Sequence, residues 1–145
     1  MRRTVAVAVL LAALVSALPG RGAGAVLEGV WAIDHEVAVQ IFACGAESCG
    51  RIIWLQNSRD LEGLLNRDKH NPDASLRQQK LCGLTILGGL RREGPSRWAS
   101  GWFYNPEDGK TYSVKAEIES ADVITAASAR FRVRAPSTRR CRSRH

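Results

Sequence analysis

The stretch "EVAVQIFACGAESCGRIIWLQ", Glu36 to Gln56, decides the fold. Its first half sets Val37, Val39 and Ile41 against Ala38, Gln40 and Phe42, the period of two that a half-buried strand requires. Its second half, "GRIIWLQ", is apolar on both sides, as in a strand covered by core on one face and by neighbours on the other. Between them "GAES" reads as a four-residue hairpin connection flanked by Cys44 and Cys49. A redox-active pair is normally two residues apart with its first cysteine at a helix N-terminus. Here four residues intervene and the flanks are strand-like. Zinc wants four ligands, and His35, His70 and His145 stand at no paired spacing with these cysteines. The pattern therefore predicts a Cys44–Cys49 staple facing across the hairpin, at the Cα spacing of about 5.5 Å that a disulfide needs. Closing so short a loop contributes about 2 kcal/mol in the chain-entropy treatment. Cys82 and Cys141 leave alternative pairings open.

A covalent staple implies an oxidising compartment, and the N-terminus agrees. In "MRRTVAVAVLLAALVSALPGRGAGAV", Arg2 and Arg3 precede an uncharged apolar run from Thr4 to Leu18. Pro19 and Gly20 then break the run, and Ala23-Gly24-Ala25 places small residues where a signal peptidase reads. The run falls short of the ~20 residues that span a bilayer. The expectation is a signal peptide over 1–25, cleaved near Ala25, with no transmembrane segment afterwards. The destination is outside the cytoplasm, periplasmic or secreted. One modest core fits a β domain over 26–125.

The chain's net charge is +7, but residues 26–125 carry 11 Lys/Arg against 14 Asp/Glu, a net of −3. Ala126 to His145 carries 7 Arg and no acid. The basicity belongs to this 126–145 tail, so the body offers no basic face to a nucleic acid. An anionic membrane or nucleic acid is one reading of "RRCRSRH"; a disordered or mistranslated end is the better-supported one.

Further strands follow along the chain. "NSRDLEGLLNRDKHNPDASLRQQK" breaks the alternation and reads as a long crossover loop, with Asn71 as N-cap and Pro72 as first residue of a short helix. "LCGLTILGGLRRE" restores a strand. "RWASGWFYNPEDGKTYSVKAEIES" is a hairpin, Trp98 to Tyr104 and Thr111 to Ile118 around "NPEDG". "DVITAASARFRV" adds strand character. Many short strands, no repeats and no long helix predict a mainly β protein, an antiparallel barrel or sandwich.

Four blocks, "GVW", "CGAESCGRIIWL", "RDKHNPDASLRQQKLCGLTIL" and "WASGWFYNPEDGKTYS", resemble the small secreted bacterial family of domain of unknown function 2147, over roughly Gly29 to Val114. The resemblance implies an antiparallel lipocalin-like (calycin-type) β-barrel without an established reaction. Gly29-Val30-Trp31 is also similar to the Gly-x-Trp of the first lipocalin strand. The C-terminus departs: the family's Arg-Gly step, Gly-containing strand and closing Trp-x-Arg are absent from "ITAASARFRVRAPSTRRCRSRH". Its Arg/Ala/Ser/Pro wording is that of a GC-rich gene read out of frame, or of a divergent end.

Large aromatics concentrate on the predicted strands. In a small barrel, inward side chains either fill the interior or line a cavity for one ligand. The functional expectation is an apolar pocket lined by Trp31, Trp54, Trp98, Trp102, Tyr104 and Tyr112, with Arg51 or Tyr112 as polar anchor; the bland one is core packing. Asp68, Asn71 and Asp73 lack the Gly and Glu of an EF-hand loop, so turn and cap roles suit them better. Glu107 and Asp108 read as a solvated turn, and Ser48 and Ser58 lack a histidine at motif spacing. No metal, cofactor or catalytic set emerges. The chain reads as a non-enzymatic binder of a small apolar or lipid-like molecule; the alternative is an envelope or extracellular interaction module with a solid core.

Overall fold

The computed structural model describes residues 24–33, 36–59, 61, 64, 66–121, 123–126, 129–132 and 141. The leader expected over 1–25 lies outside these up to residue 23, as do His35, His145 and most of the 126–145 tail. Among the described residues eight strands run in chain order: β1 Gly29–Ile33, β2 Val37–Cys44, β3 Glu47–Leu55, β4 Thr85–Arg92, β5 Arg97–Asn105, β6 Lys110–Ser120, β7 Val123–Ala126 and β8 Ala129–Arg132. Each pairs antiparallel with the next, and β8 returns to β1 through Ala32 and Arg132, so the sheet closes into an up-and-down barrel. Closure removes the unpaired edges of an open sheet.

The β2–β3 hairpin is tighter than its sequence suggests. Cys44 pairs with Glu47, leaving Gly45 and Ala46 as the whole turn. Gly45 takes φ +73° in the first turn position, which suits a two-residue hairpin whose second residue keeps an ordinary φ. The expected four-residue connection is therefore corrected to two residues. Cys44 and Cys49 do bond, with Cα atoms 5.8 Å apart, but diagonally: Cys49 has Phe42 opposite it. The β5–β6 hairpin forms as expected. "DVITAASARFRV" holds two strands, β7 and β8, and the barrel runs past Thr125 to Arg132.

The 56–84 loop joins β3 to its immediate neighbour β4 and carries, among its described residues, one 3-10 turn, Ala74–Leu76. Its N-cap is Asp73, whose Oδ1 accepts the Ser75 N–H at 2.9 Å, and not Asn71. Asn71 is drawn elsewhere: its Oδ1 accepts the Asp73 N–H and its Nδ2 donates to Asp68. The helix shrinks to one turn because the polar side chains around it bond to the loop instead of extending the helix.

Candidate functional site

In an up-and-down barrel successive connections fall at alternate ends. The β2–β3 and β4–β5 turns and the segment before β1 mark one end, called here the floor. The β1–β2 connection, the 56–84 loop and the β5–β6 turn mark the other, the mouth.

The floor is plugged. Leu27 is fully buried, and Trp31 donates from Nε1 to its carbonyl at 2.9 Å. Ala25 donates its N–H to Pro95 O at 3.1 Å, and Arg92 donates to the carbonyls of Ala25 and Pro95. The Arg92 guanidinium lies 4.5 Å from the Trp98 ring centroid, a cation–π contact on a buried indole.

Register partners identify the inner face. A Cβ on Gly50 would meet Val39 and Leu87, and one on Gly101 would meet Leu90 and Val114. Ile41, Gly50, Leu87, Phe103 and Tyr112 are successive partners across five strands. Ile33, Val37 and Leu55 form a second such row. Burial along this face is graded. Trp31, Ile41, Leu90, Trp98 and Val114 are buried, joined in one cluster with Leu27. Towards the mouth, Ile33, Val37, Leu55, Leu87 and Phe103 are only half-buried, and Tyr112 is 43% exposed. Burial is complete in the lower half and partial in the upper, where these side chains pack against the core cluster yet keep some exposed surface.

The seven residues expected to line a pocket separate accordingly. Trp31, Trp98 and Tyr112 occupy the inner face, the first two in the packed floor and the third at the rim. Arg51 is exposed on the barrel's exterior, donating from Nε and Nη2 to Gln40 Oε1 at 3.1 and 2.9 Å, with its guanidinium 5.2 Å from the Phe42 ring centroid. Trp54 is half-buried beside Ala38 on the mouth half of β3. Trp102 lies over Gly88 on the outer face, and Tyr104, two residues on, shares that face. Phe103, one of the large aromatics on the predicted strands, and Leu87 join the inner row although neither is among those seven. Their signal, alternation along β4 and β5, is broken by bulges at Gly89 (φ +68°) and Ser100 (φ +61°).

Tyr104 meets the 56–84 loop. Asp68 is fully buried and accepts from three uncharged donors: Tyr104 Oη donates to Oδ1 at 2.6 Å, while Asn71 Nδ2 and Gln79 Nε2 donate to Oδ2 at 2.7 and 3.1 Å. Asp68 N–H donates to Gln79 O and Leu81 N–H to Asn66 O, so the loop's two limbs form a short antiparallel ladder. The loop also rests on the β5–β6 turn, where His70 Nδ1 lies 2.7 Å from Glu107 O. Gly109 makes this approach possible, since a Cβ there would fall 1.9 Å from His70 O. "DKHNPD" is thus a docking motif. On the turn itself Tyr112 donates to Asp108, whose carboxyl is held below its ordinary range first by that hydrogen bond.

Burial, and then the hydrogen bond to Asp68, push the Tyr104 phenol up to about 12. An unfolded tyrosine loses its proton near 10. From there up to about 12 the unfolded chain ionises while the folded one does not, so this contribution is complete below pH 10 and disappears as pH rises through that window. Ultraviolet difference titration of tyrosinate is expected to show a late step that Tyr104→Phe removes. A Tyr104→Phe curve identical to wild type would contradict the assignment.

A second covalent link closes the mouth end. Cys82, at the root of β4, bonds to Cys141, whose N–H donates to Ile53 O at 2.8 Å. Ile53 is the extra residue of a bulge between Trp54 and Ile52.

An eight-stranded antiparallel cup with a plugged floor and a long loop docked beside its mouth defines a lipocalin-like barrel. The chain belongs to the family of uncharacterized proteins conserved in bacteria, DUF2147, whose pattern matches residues 29–131. The match reaches further towards the C-terminus than the resemblance in the sequence blocks. Among solved structures, it is similar to protein HP1028 from Helicobacter pylori, titled as a lipocalin-family member, with 21% identity and a TM-score of 0.62. The likeness covers 76% of this chain and 84% of that one. No curated protein matches. Two disulfides fit an extracellular or periplasmic protein, and no helix among the described residues is long and apolar enough to cross a membrane.

Proposed function

We propose that this exported barrel binds a small apolar or lipid-like molecule at its mouth, without catalysis. The gradient of burial along the inner face supports the reading. Below, Trp31 and Trp98 belong to a packed cluster; above, Phe103, Leu87, Val37 and Leu55 present apolar surface that water reaches. Apolar side chains directed inward yet left wet are what an apolar guest would dry. Burying about 200 Å² of such a guest contributes about 5 kcal/mol, from which the cost of lost freedom is subtracted. Tyr112, anchored to Asp108 at the rim, supplies a phenol for orientation. Trp31 and Trp98 form the floor beneath the guest. Trp54, Trp102, Tyr104 and Arg51 serve the wall and the loop from other positions.

Titration with the neutral fluorophore N-phenyl-1-naphthylamine is the test. The expected result is a saturable rise in emission, weakened at least about tenfold by Phe103→Glu, since a buried carboxylate without a partner is costly. Trp102→Ala, on the outer face, is expected to leave probe affinity unchanged. An unsaturable response in the wild-type protein would remove the proposal.

A further inference from the structure

We propose that the outer face of β4, β5 and β6 is a second site, independent of the mouth, that binds a saccharide with Trp102 as its stacking platform.

The geometry begins with glycine. Gly88 is the register partner of Trp102, and a Cβ built on it would lie 2.6 Å from Cζ2, 2.7 Å from Cε2 and 2.9 Å from Nε1 of the indole. A Cβ on Gly89 would lie 3.4 Å from Cδ1. The ring is therefore laid down over the backbone of Gly88 and Gly89, and its surroundings still leave Trp102 40% exposed. A flat, rigid aromatic backed by main chain is ready for a flat apolar guest, because nothing has to be ordered when the guest arrives.

The surroundings specify what kind of guest. Ser113 is the cross-strand partner of Trp102 on β6, and it lines an open groove of about 680 Å³ together with Glu93, Ser100 and Lys115. That volume falls within the range of small-molecule sites. The bulge at Ser100 interrupts the ladder between Trp98 and Gly101 and re-aims the serine, whose φ is +61°. Two hydroxyls, one carboxylate and one ammonium thus line the groove beside Ala99, Gly101 and Val114, and the indole borders it through Ser113, its cross-strand partner. The groove's formal charges cancel, which favours neither a polyanion nor a polycation. A single indole is too little apolar area for a lipid surface, and a closed barrel offers no free edge here to an added strand. A pyranose meets both halves of the site. The C–H bonds on one face carry partial positive charge and suit the negative face of the ring. The hydroxyls on its edge both donate and accept, matching Ser100, Ser113, Glu93 and Lys115.

The alternative role for Trp102 is to shield two strand glycines from water. Binding measurements separate the two. The disulfide-intact protein is titrated with N-acetylglucosamine tetramer and with maltohexaose, following tryptophan emission and heat. The expected result is saturable binding of at least one, weakened at least tenfold in Trp102→Ala. Because that variant also uncovers Gly88, two exposed substitutions form a second arm. Ser113→Ala and Ser100→Gly, the latter compatible with positive φ, are each expected to weaken binding severalfold with an unchanged circular dichroism spectrum. The sugar is not expected to displace N-phenyl-1-naphthylamine, so failure at one site is distinguishable from failure at the other. No saturable response to either sugar overturns the proposal. So does wild-type affinity in Trp102→Ala or in both serine variants.

Discussion

Removal of the Cys82–Cys141 bridge is expected to destabilise the barrel by about 4 kcal/mol, against about 2 kcal/mol for Cys44–Cys49. The difference follows from loop length. The two cysteines of the first bridge are 59 residues apart and those of the second only 5, so the first removes far more freedom from the unfolded chain. The native contacts point the same way. Cys82 stands at the root of β4, and Cys141 satisfies the carbonyl of Ile53, which the β3 bulge leaves without a β2 partner. Releasing Cys141 frees that carbonyl as well as the chain end. The paired variants Cys82→Ala/Cys141→Ala and Cys44→Ala/Cys49→Ala, compared by urea midpoint at constant m-value, provide the measurement. Equal losses, or a larger loss from the hairpin staple, would contradict the argument.

The second large effect belongs to Asp68. Replacing it with alanine strands three donors, the Tyr104 hydroxyl and the side-chain amides of Asn71 and Gln79. A buried donor left unpaired costs about 1–3 kcal/mol, and these three share one site, so the combined loss is expected to be about 3 kcal/mol. Tyr104→Phe removes only one partner and leaves the carboxyl two others, so it is expected to cost about 1 kcal/mol. The double variant separates the contributions: with Asp68 already gone, Tyr104→Phe should cost almost nothing. Hydrogen exchange adds a local readout. The Asp68 and Leu81 amides, bonded to Gln79 O and Asn66 O, should lose protection in Asp68→Ala while the β2–β3 ladder keeps its own. Additive losses from the two substitutions would mean that Asp68 and Tyr104 act separately.

These two features bear on the proposed mouth in one physical way. The 56–84 loop has little repetitive structure to hold it. It is kept in place by a buried polar network joining its two limbs, a disulfide at its root, and the contact of His70 with the β5–β6 turn. A loop held this way is set relative to the inner-face row of Leu87, Phe103 and Tyr112, and loosening it should alter access to the wet half of the interior before it melts the barrel.

Much of this protein was legible in one dimension. Alternation around Val37, Val39 and Ile41 announced β2; "NPEDG" announced the β5–β6 turn; Cys44 and Cys49 announced their bond; Gly29-Val30-Trp31 pointed to the lipocalin-like first strand. The first three are short-range signals, in which backbone preference, burial period and loop closure act within a few residues, and the last is a resemblance carried by adjacent residues. What escaped depended on events far apart or on small shifts of phase. Asp68 and Tyr104 are separated by 36 positions, and neither announces the other. Cys82 had several partners open to it until the barrel brought Cys141 beside Ile53. Which aromatics face inward was set by the bulges at Ile53, Gly89 and Ser100, each of which breaks the period of two. Bulges arise where pairing on both sides of a strand must be satisfied at once, a condition that exists only after the sheet has closed. Neighbours on a strand always face opposite ways, and the bulge before Gly101 decides that Phe103 turns into the cup and Trp102 out of it.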